Sequence, residues 1–219
     1  ERLQFLAGQY IDILMKDGQR RSYSLANAPH DDEFLQLHVR NYLGGVFAEH
    51  TFSNMKEKDI LRFEGPLGTF FLREDSDKPI IFVASGTGFA PVKSMLEHIF
   101  HVAETRGNDR DIILYWGART KADLYLAELA GSWQQKYENF CFIPVLSESL
   151  QTDDWHGRTG LVHQAVLEDF DSLSGYQVYA CGSPVMVGAA RTDFISRRNL
   201  PEDEFISDAF TPSPADTKL

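Results

Sequence analysis

The sequence predicts two architectures in series. Residues 1–75 read as a small antiparallel β-barrel or sandwich, and residues 76–210 as a doubly wound parallel α/β sheet. Three observations carry this reading. The first 75 residues hold short alternating runs broken by frequent turn signals. Beyond Pro79, continuous apolar runs alternate with stretches of helical spacing. Between the two lies a polar linker, Glu74-Asp75-Ser76-Asp77-Lys78.

In the first half, residues 9–15 alternate, with Tyr10, Asp12 and Leu14 on one side and Ile11 and Ile13 on the other. Asp17-Gly18 is a hairpin signal, after which residues 21–26 resume an extended run. Residues 35–40 alternate again, bounded by Asp31-Asp32 and Gly44-Gly45. Residues 59–64 and 69–73 are expected as strands flanking Gly65-Pro66-Leu67-Gly68, which reads as a turn. Only residues 46–55 suit a helix in this half.

In the second half, residues 79–84 form the unbroken apolar run expected of a strand buried on both faces. Val92, Met95, Leu96, Ile99 and Phe100 keep helical spacing, and Gly107-Asn108-Asp109 closes that helix. Further strands are expected at 111–116, 140–146, 176–181 and 204–210, and helices at 124–133 and 161–167. A last helix starts at Ser183-Pro184, an N-cap followed by proline at the first helical position, and runs to about Arg198. Residues 211–219 read as a loose tail.

Composition narrows the function classes. With 43% hydrophobic and 24% charged residues, the chain falls outside collagen-like, coiled-coil and disordered classes. Its net charge of -11 gives no basic face for a nucleic acid, and suits solubility or a partner with a basic patch. Two cysteines, Cys141 and Cys181, exclude a disulfide framework, a four-cysteine zinc site and an iron–sulfur cluster carried by this chain alone. They fit a reducing, cytoplasmic compartment. No apolar run approaches the ~20 residues of a membrane span.

The chemistry concentrates in three segments. Ser85-Gly86-Thr87-Gly88-Phe89-Ala90-Pro91 follows the first parallel strand and opens its helix. A pyrophosphate needs backbone N–H groups at a helix start, and side chains would block that approach. Pro91 stands where a dinucleotide fingerprint has glycine or alanine, so the context of strand and helix carries the reading. Arg21-Ser22-Tyr23-Ser24-Leu25 offers a cation for phosphate, a flat ring and a hydroxyl. Alone, that run reads better as a half-exposed strand with Tyr23 in the core. Cys181-Gly182-Ser183-Pro184-Val185-Met186 ends the fourth parallel strand, where open α/β sheets place ligands. Alone, Cys181 reads as a small buried thiol.

Taken in order, these segments and Gly65-Pro66-Leu67-Gly68-Thr69-Phe70 resemble the ferredoxin–NADP reductase superfamily over about residues 5–210. Within it, residues 64–73 and Gly88-Phe89-Ala90-Pro91 are similar to reductases of 3,6-dideoxysugar synthesis, which carry an N-terminal plant-type ferredoxin domain. The resemblance implies a Greek-key barrel holding FAD and an α/β domain holding NAD(P)H. Hydride would pass from nicotinamide to flavin, and electrons onward to an iron–sulfur domain or partner. Family members carry one further strand before the segment matching Phe5-Leu6-Ala7-Gly8-Gln9-Tyr10, so the barrel lacks its first strand within this sequence.

Carried over by position, Arg21 would hold the FAD pyrophosphate, Tyr23 would pack on the flavin, and Ser24 would hydrogen-bond the hydride-accepting nitrogen, with Leu25 beside it. Val39 and Arg40 would contact the flavin nucleotide. Gly45, Val46, Phe47 and Ala48 would present backbone N–H groups to its phosphate. Ala48 departs from the family's serine or threonine and leaves that phosphate one hydroxyl short. Gly86, Thr87, Gly88 and Pro91 would cradle the NAD(P) pyrophosphate. Cys181, with Gly182 and Met186, would sit beside the nicotinamide. Asp208 and Phe210 would match the family's C-terminal acid and flavin-shielding aromatic. Gly117 and Arg119 end the second parallel strand, where a ribose or its 2′-phosphate is read. Leu124-Tyr125 resembles NADH-using relatives, so NADH is preferred.

Other candidates are set aside. His98 and His101 lie one helical turn apart without a third ligand at suitable spacing, so no metal site is expected. Asp31-Asp32-Glu33 and Asp153-Asp154 read as solvated charge runs. Trp116, Trp133 and Trp155 read as packing. Two rivals to the electron-transfer reductase stand. One is a free-flavin reductase, favoured by Ala48. The other is a nucleotide-binding subunit without turnover of its own.

Overall fold

The computed structural model describes residues 2–41, 45–107, 110–150, 152 and 154–211. Gly44, Asn108, Asp109, Asp153 and residues 212–219 of the expected tail lie outside them. The chain divides into two compact units. One holds the described residues up to 72 with Ala90–His101, and the other Arg73–Phe89 with Val102–Phe210.

The first unit is built on an antiparallel sheet. Strands β1 (Tyr10–Leu14) and β2 (Arg20–Ser24) pair in register from Tyr10↔Ser24 to Leu14↔Arg20. The turn between them is the predicted one. Gly18, at φ +83°, donates to the Met15 carbonyl, and the Asp17 carboxylate accepts the Gln19 N–H. Ile11 and Ile13 face a small core with Phe5, Leu25 and Phe47, as the alternation requires. Strand β3 (Phe63–Leu67) pairs with the other edge of β1. It includes Gly65-Pro66-Leu67, the stretch expected as a turn. The register shifts between Tyr10 and Asp12, a bulge that takes up an extra residue, and β3 is an edge strand, where proline's missing N–H is tolerated. Gly65 is required there, because a Cβ would lie 2.7 Å from Ile11 Cγ2.

Two expected strands do not form. Residues 35–40 contribute one isolated bridge, Leu25↔Leu37, and residues 69–73 one backbone bond, from the Leu72 N–H to the Ala7 carbonyl. Alternation alone had no partner strand to align with in either case. The helix expected at 46–55 forms as α1 (Val46–Glu49) followed by a wider turn at His50–Asn54.

The second unit is a six-stranded parallel sheet: β4 (Ile80–Ser85), β5 (Ile112–Ala118), β6 (Phe140–Leu146), β7 (Arg158–Thr159), β8 (Gln177–Gly182) and β9 (Phe205–Ala209). Their order is β7-β6-β5-β4-β8-β9, so the chain winds outward from β4 in both directions. The helices are α2 (Phe89–Arg106), α3 (Ala127–Lys136), α4 (Val162–Asp169) and α5 (Pro184–Arg198). Ile80, Ile81, Phe82, Val83 and Ala84 are all fully buried, as the unbroken run requires. Each large side chain among them contributes roughly 1.5–3 kcal/mol over an exposed one. Ile81, Val83, Val178 and Ala180 face the core built on α4 and α5. Phe82 and Tyr179 turn to the opposite face, where their rings lie 5.3 Å apart.

Three departures have local causes. The helix expected from residue 124 starts at Ala127, because Thr120 and Asp123 form a capping box around a separate 3₁₀ turn, Lys121–Asp123. Ser183 takes the N-cap position of α5, but its side chain makes no cap bond. β7, only two residues long, gives no periodic signal. Among the described residues no helix is long and apolar enough to cross a membrane.

Candidate cofactor-binding site

The doubly wound order has its switch point between β4 and β8, and the sites follow from it. β4 ends at Ser85, and Gly86–Gly88 form a 3₁₀ turn leading directly into α2. No side chain caps that start; the Phe89 N–H closes back on the Gly86 and Thr87 carbonyls, and no side-chain cap competes for the N–H groups of the 3₁₀ turn itself. Pro91 falls within this first turn, where its missing N–H costs no helical bond. Gly86 has φ +54°, which favours glycine. Gly88 is glycine for a packing reason, since a Cβ would lie 2.2 Å from the Cys181 carbonyl oxygen. The Trp116 indole N–H donates to the Gly86 carbonyl at 3.0 Å, and its ring stacks on Phe89 at 3.9 Å. Trp116, read as packing, therefore also holds the loop.

Cys181 is fully buried on β8, between Ala84 of β4 and Asp208 of β9. Burial pushes its thiol well above the usual range, and the neighbouring Asp208 carboxylate adds to this. Burial also raises the Asp208 carboxyl. Gly182, at φ +129°, passes so close to Ser85 that a Cβ would lie 2.3 Å from Ser85 Oγ. The Phe210 N–H donates to the Gly182 carbonyl at 2.8 Å, fixing the residue after β9. Met186 is buried in the core against α4 and α5. The structure thus brings together Gly86, Thr87, Gly88, Cys181, Gly182, Asp208 and Phe210 at one end of the sheet.

Gly117 pairs with Ser85 at the same end of the sheet, on the β5 side of the loop, and Arg119 follows just beyond β5. A Cβ at Gly117 would lie 2.7 Å from Val162 Cβ, which accounts for the glycine by packing. Arg119 is exposed and pairs with Glu148 at 3.7 Å. The Asp123 carboxylate accepts both the Thr120 N–H and hydroxyl.

In the first unit, Arg21 is buried, with Nη1 donating to the Arg20 carbonyl and Nη2 to Gln19 Oε1. Ser24 is buried in the β1–β2 ladder. Tyr23 packs on Phe47 with ring centroids 5.1 Å apart, and Leu25 and Val39 join the same cluster. Gly45, Phe47 and Ala48 are buried at the start of α1, while Val46 and Arg40 are exposed. On the same unit, Lys93 of α2 donates to the Ala26 carbonyl at 3.1 Å, and Ser94 to the Asn27 carbonyl at 2.8 Å. His101 stacks on His30 at 3.8 Å. Asp32 pairs with Arg2. Among the described residues no group of three or more His, Cys, Asp or Glu side chains could hold a metal ion.

Residues 1–72 match the oxidoreductase FAD-binding domain, and residues 82–192 the oxidoreductase NAD-binding domain. The chain belongs to this family of FAD- and NAD-binding oxidoreductases. Its residues suit both groups: a buried arginine and a tyrosine on one strand of the first unit, and a glycine loop pressed on the Cys181 backbone in the second. The chain is 49% identical over 212 residues to the CDP-6-deoxy-L-threo-D-glycero-4-hexulose-3-dehydrase reductase of Yersinia pestis, covering 97% of itself and 61% of that relative. It is 36% identical to the NAD(P)H-flavin reductase of Vibrio harveyi, covering 94% of itself and 86% of that protein. The crystal structure of an Amycolatopsis cytochrome P450 reductase superposes with TM-score 0.87 at 35% identity, over 97% of this chain and 63% of that one. The chain therefore spans about three fifths of the first relatives' length.

Two contributors escaped the sequence reading. Ser85 and Trp116 both hold the loop through partners distant in sequence. Ser85 lay inside the quoted motif, but nothing local marks its bond to Ser183, 98 residues away.

Proposed function

We propose that this chain is the reductase module of an electron-transfer enzyme, taking hydride from NAD(P)H onto FAD and passing electrons to an iron–sulfur domain or partner, in 3,6-dideoxysugar synthesis. The observation that carries the reading is the interlock of the Gly86–Gly88 loop with Cys181 and Gly182 at the switch point. The 49% identity to the Yersinia pestis reductase supports the pathway. We take residues 1–75 as the FAD-binding part, 76–210 as the NAD-binding part and 211–219 as a tail. We assign the cytoplasm, where reduced Cys141 and Cys181 persist.

When bound, reduced nicotinamide would supply a hydride and FAD would accept it and release the two electrons singly. The protein binds, orients and excludes water. The Ser85–Gly88 backbone and the α2 start receive the pyrophosphate, with Thr87 and Pro91 shaping the turn. Cys181, kept neutral by burial, would wall the nicotinamide site as a small, weakly polar group. Asp208 and Phe210 complete that wall. Arg21 takes the flavin pyrophosphate, Tyr23 the ring and Ser24 a ring nitrogen. Leu25, Val39, Arg40, Gly45, Val46, Phe47 and Ala48 complete the flavin nucleotide contacts. NADH is the preferred donor, because Arg119 shares its charge with Glu148 and so offers a 2′-phosphate little.

The visible spectrum of the purified chain, before and after anaerobic NADH, tests the reading. A flavin spectrum that bleaches is expected. No NADH oxidation after FAD is added to the same cuvette would refute it. A second reading, a free-flavin reductase, is favoured by the Vibrio harveyi relative and by the Ala48 methyl. It predicts flavin lost on gel filtration but turned over in solution.

A further inference from the structure

The phosphate loop and the turn after β8 are locked by three contacts within the second unit. Ser85 Oγ accepts the Ser183 amide N–H at 2.9 Å. A Cβ on Gly182 would lie 2.3 Å from that oxygen, and one on Gly88 would lie 2.2 Å from the Cys181 carbonyl oxygen. The two backbones therefore meet without intervening side chains, and the Ser85 hydroxyl is the polar group at the junction. Its partner amide sits at the N-cap of α5, ahead of Pro184. Gly182 holds a φ of +129°, which favours glycine, and its carbonyl is fixed by the Phe210 N–H, while the Ser183 amide just beyond it is held by Ser85. On the loop side, the Trp116 indole fixes the next carbonyl, that of Gly86. Ser85 thus joins the loop to the first residue beyond β8.

We propose that Ser85 is a positioning residue for the nicotinamide end of the dinucleotide: by holding the Ser183 amide it fixes the Cys181-Gly182-Ser183 turn relative to the pyrophosphate loop. This rests on the reading that the dinucleotide lies along these two segments. The Ser85 hydroxyl does not need to touch the cofactor. It acts through the backbone that does.

The test uses the full chain, loaded with FAD where turnover is measured, and compares wild type with Ser85→Ala, Ser85→Cys and Ser85→Thr. In the flavin-free chain, Ser85→Ala speeds hydrogen exchange of the Ser183 amide by about fivefold to tenfold, as loss of one neutral hydrogen bond requires. Calorimetric affinity for ADP-ribose, which lacks nicotinamide, stays within about twofold. In turnover with an artificial acceptor, kcat falls about tenfold while the NADH KM moves less than about twofold, the pattern of a lost orientation. Ser85→Thr, which keeps the hydroxyl, restores both readouts. Ser85→Cys keeps the volume with a weaker acceptor and falls between, so the comparison survives if the alanine variant folds poorly. Variants that lose thermal stability but keep wild-type kcat and KM overturn the proposal, and so does unchanged Ser183 exchange. A wild-type chain that binds neither ADP-ribose nor NAD⁺ overturns the dinucleotide reading instead, a failure the exchange measurement keeps separate.

Discussion

Gly88→Ala isolates sterics from backbone preference. Gly88 has φ -57° and ψ -13°, a conformation alanine adopts freely. In a helical setting alanine is favoured over glycine by about 1 kcal/mol. Any destabilisation must therefore come from the new methyl. That methyl would lie 2.2 Å from Cys181 O, 2.6 Å from Cys181 C and 2.9 Å from Gly182 Cα. All three are backbone atoms of a strand hydrogen-bonded on both sides, to β4 and β9. Restoring ordinary contact needs a retreat of about 1 Å, which neither neighbour can follow easily. Overpacking costs about 1–3 kcal/mol, and a backbone obstacle places this case at about 2–3. For a chain of this size that lowers Tm by about 4–12 °C. Gly188→Ala in α5 is the control, because a methyl there meets nothing within 4 Å. It should gain about 0.5–1 kcal/mol and raise Tm by a few degrees. Differential scanning calorimetry of both variants checks the pair. Gly88→Ala melting at or above wild type would refute the packing argument.

Three further outcomes follow from other sites. Burial, with Lys93 adding, pushes the His38 imidazole down to about 4. The unfolded chain takes up that proton near pH 6.5 and the folded chain does not, so this contribution is full above pH 6.5 and declines as pH falls towards 4. His38→Gln should flatten that decline by about 2 kcal/mol, read from urea midpoints across the window. Arg110 forks from Nε to the Lys78 carbonyl and from Nη2 to Gln177 Oε1, so Arg110→Lys cannot replace it and should cost about 2–4 kcal/mol in denaturant unfolding. Glu148→Lys should release Arg119 and tighten NADP⁺ binding about tenfold relative to NAD⁺ by calorimetry; an unchanged ratio would place the 2′-hydroxyl elsewhere.

Where local chemistry decides, the sequence was legible. β6 covers the predicted 140–146, and α5 starts at Pro184 as expected. The apolar run of β4 and the glycine loop are equally local signals. Pairing is a different kind of information. Residues 35–40 alternate as well as β1 does, yet they meet β2's continuation in one isolated bridge, Leu25↔Leu37, with the Ala26 N–H on the Gln36 carbonyl. Gly65-Pro66 carries turn chemistry and sits in a bulged edge strand. The candidate site divides the same way. The turn at Gly86-Thr87-Gly88 is readable because a strand running tightly into a helix asks for glycine. The Ser85–Ser183 bond and the Arg119–Glu148 pair join residues whose proximity only the sheet order creates.

The interlock at Gly88 also bears on the order in which the chain acquires its competence. β4 is the first strand of its sheet to leave the ribosome, but one of its two neighbours, β8, is the fifth, almost a hundred residues later. The glycine turn can be made early; its seat cannot. Until Cys181 and Gly182 dock beside Ala84, the turn is held from the β5 side alone, by Trp116. Dinucleotide capture should therefore emerge only as the sheet closes around its middle strand. In refolding from denaturant, recovery of ADP-ribose binding should lag the return of helical circular dichroism. For a redox module that order has a use, since a half-made chain would hold no nicotinamide and could leak no electrons to oxygen.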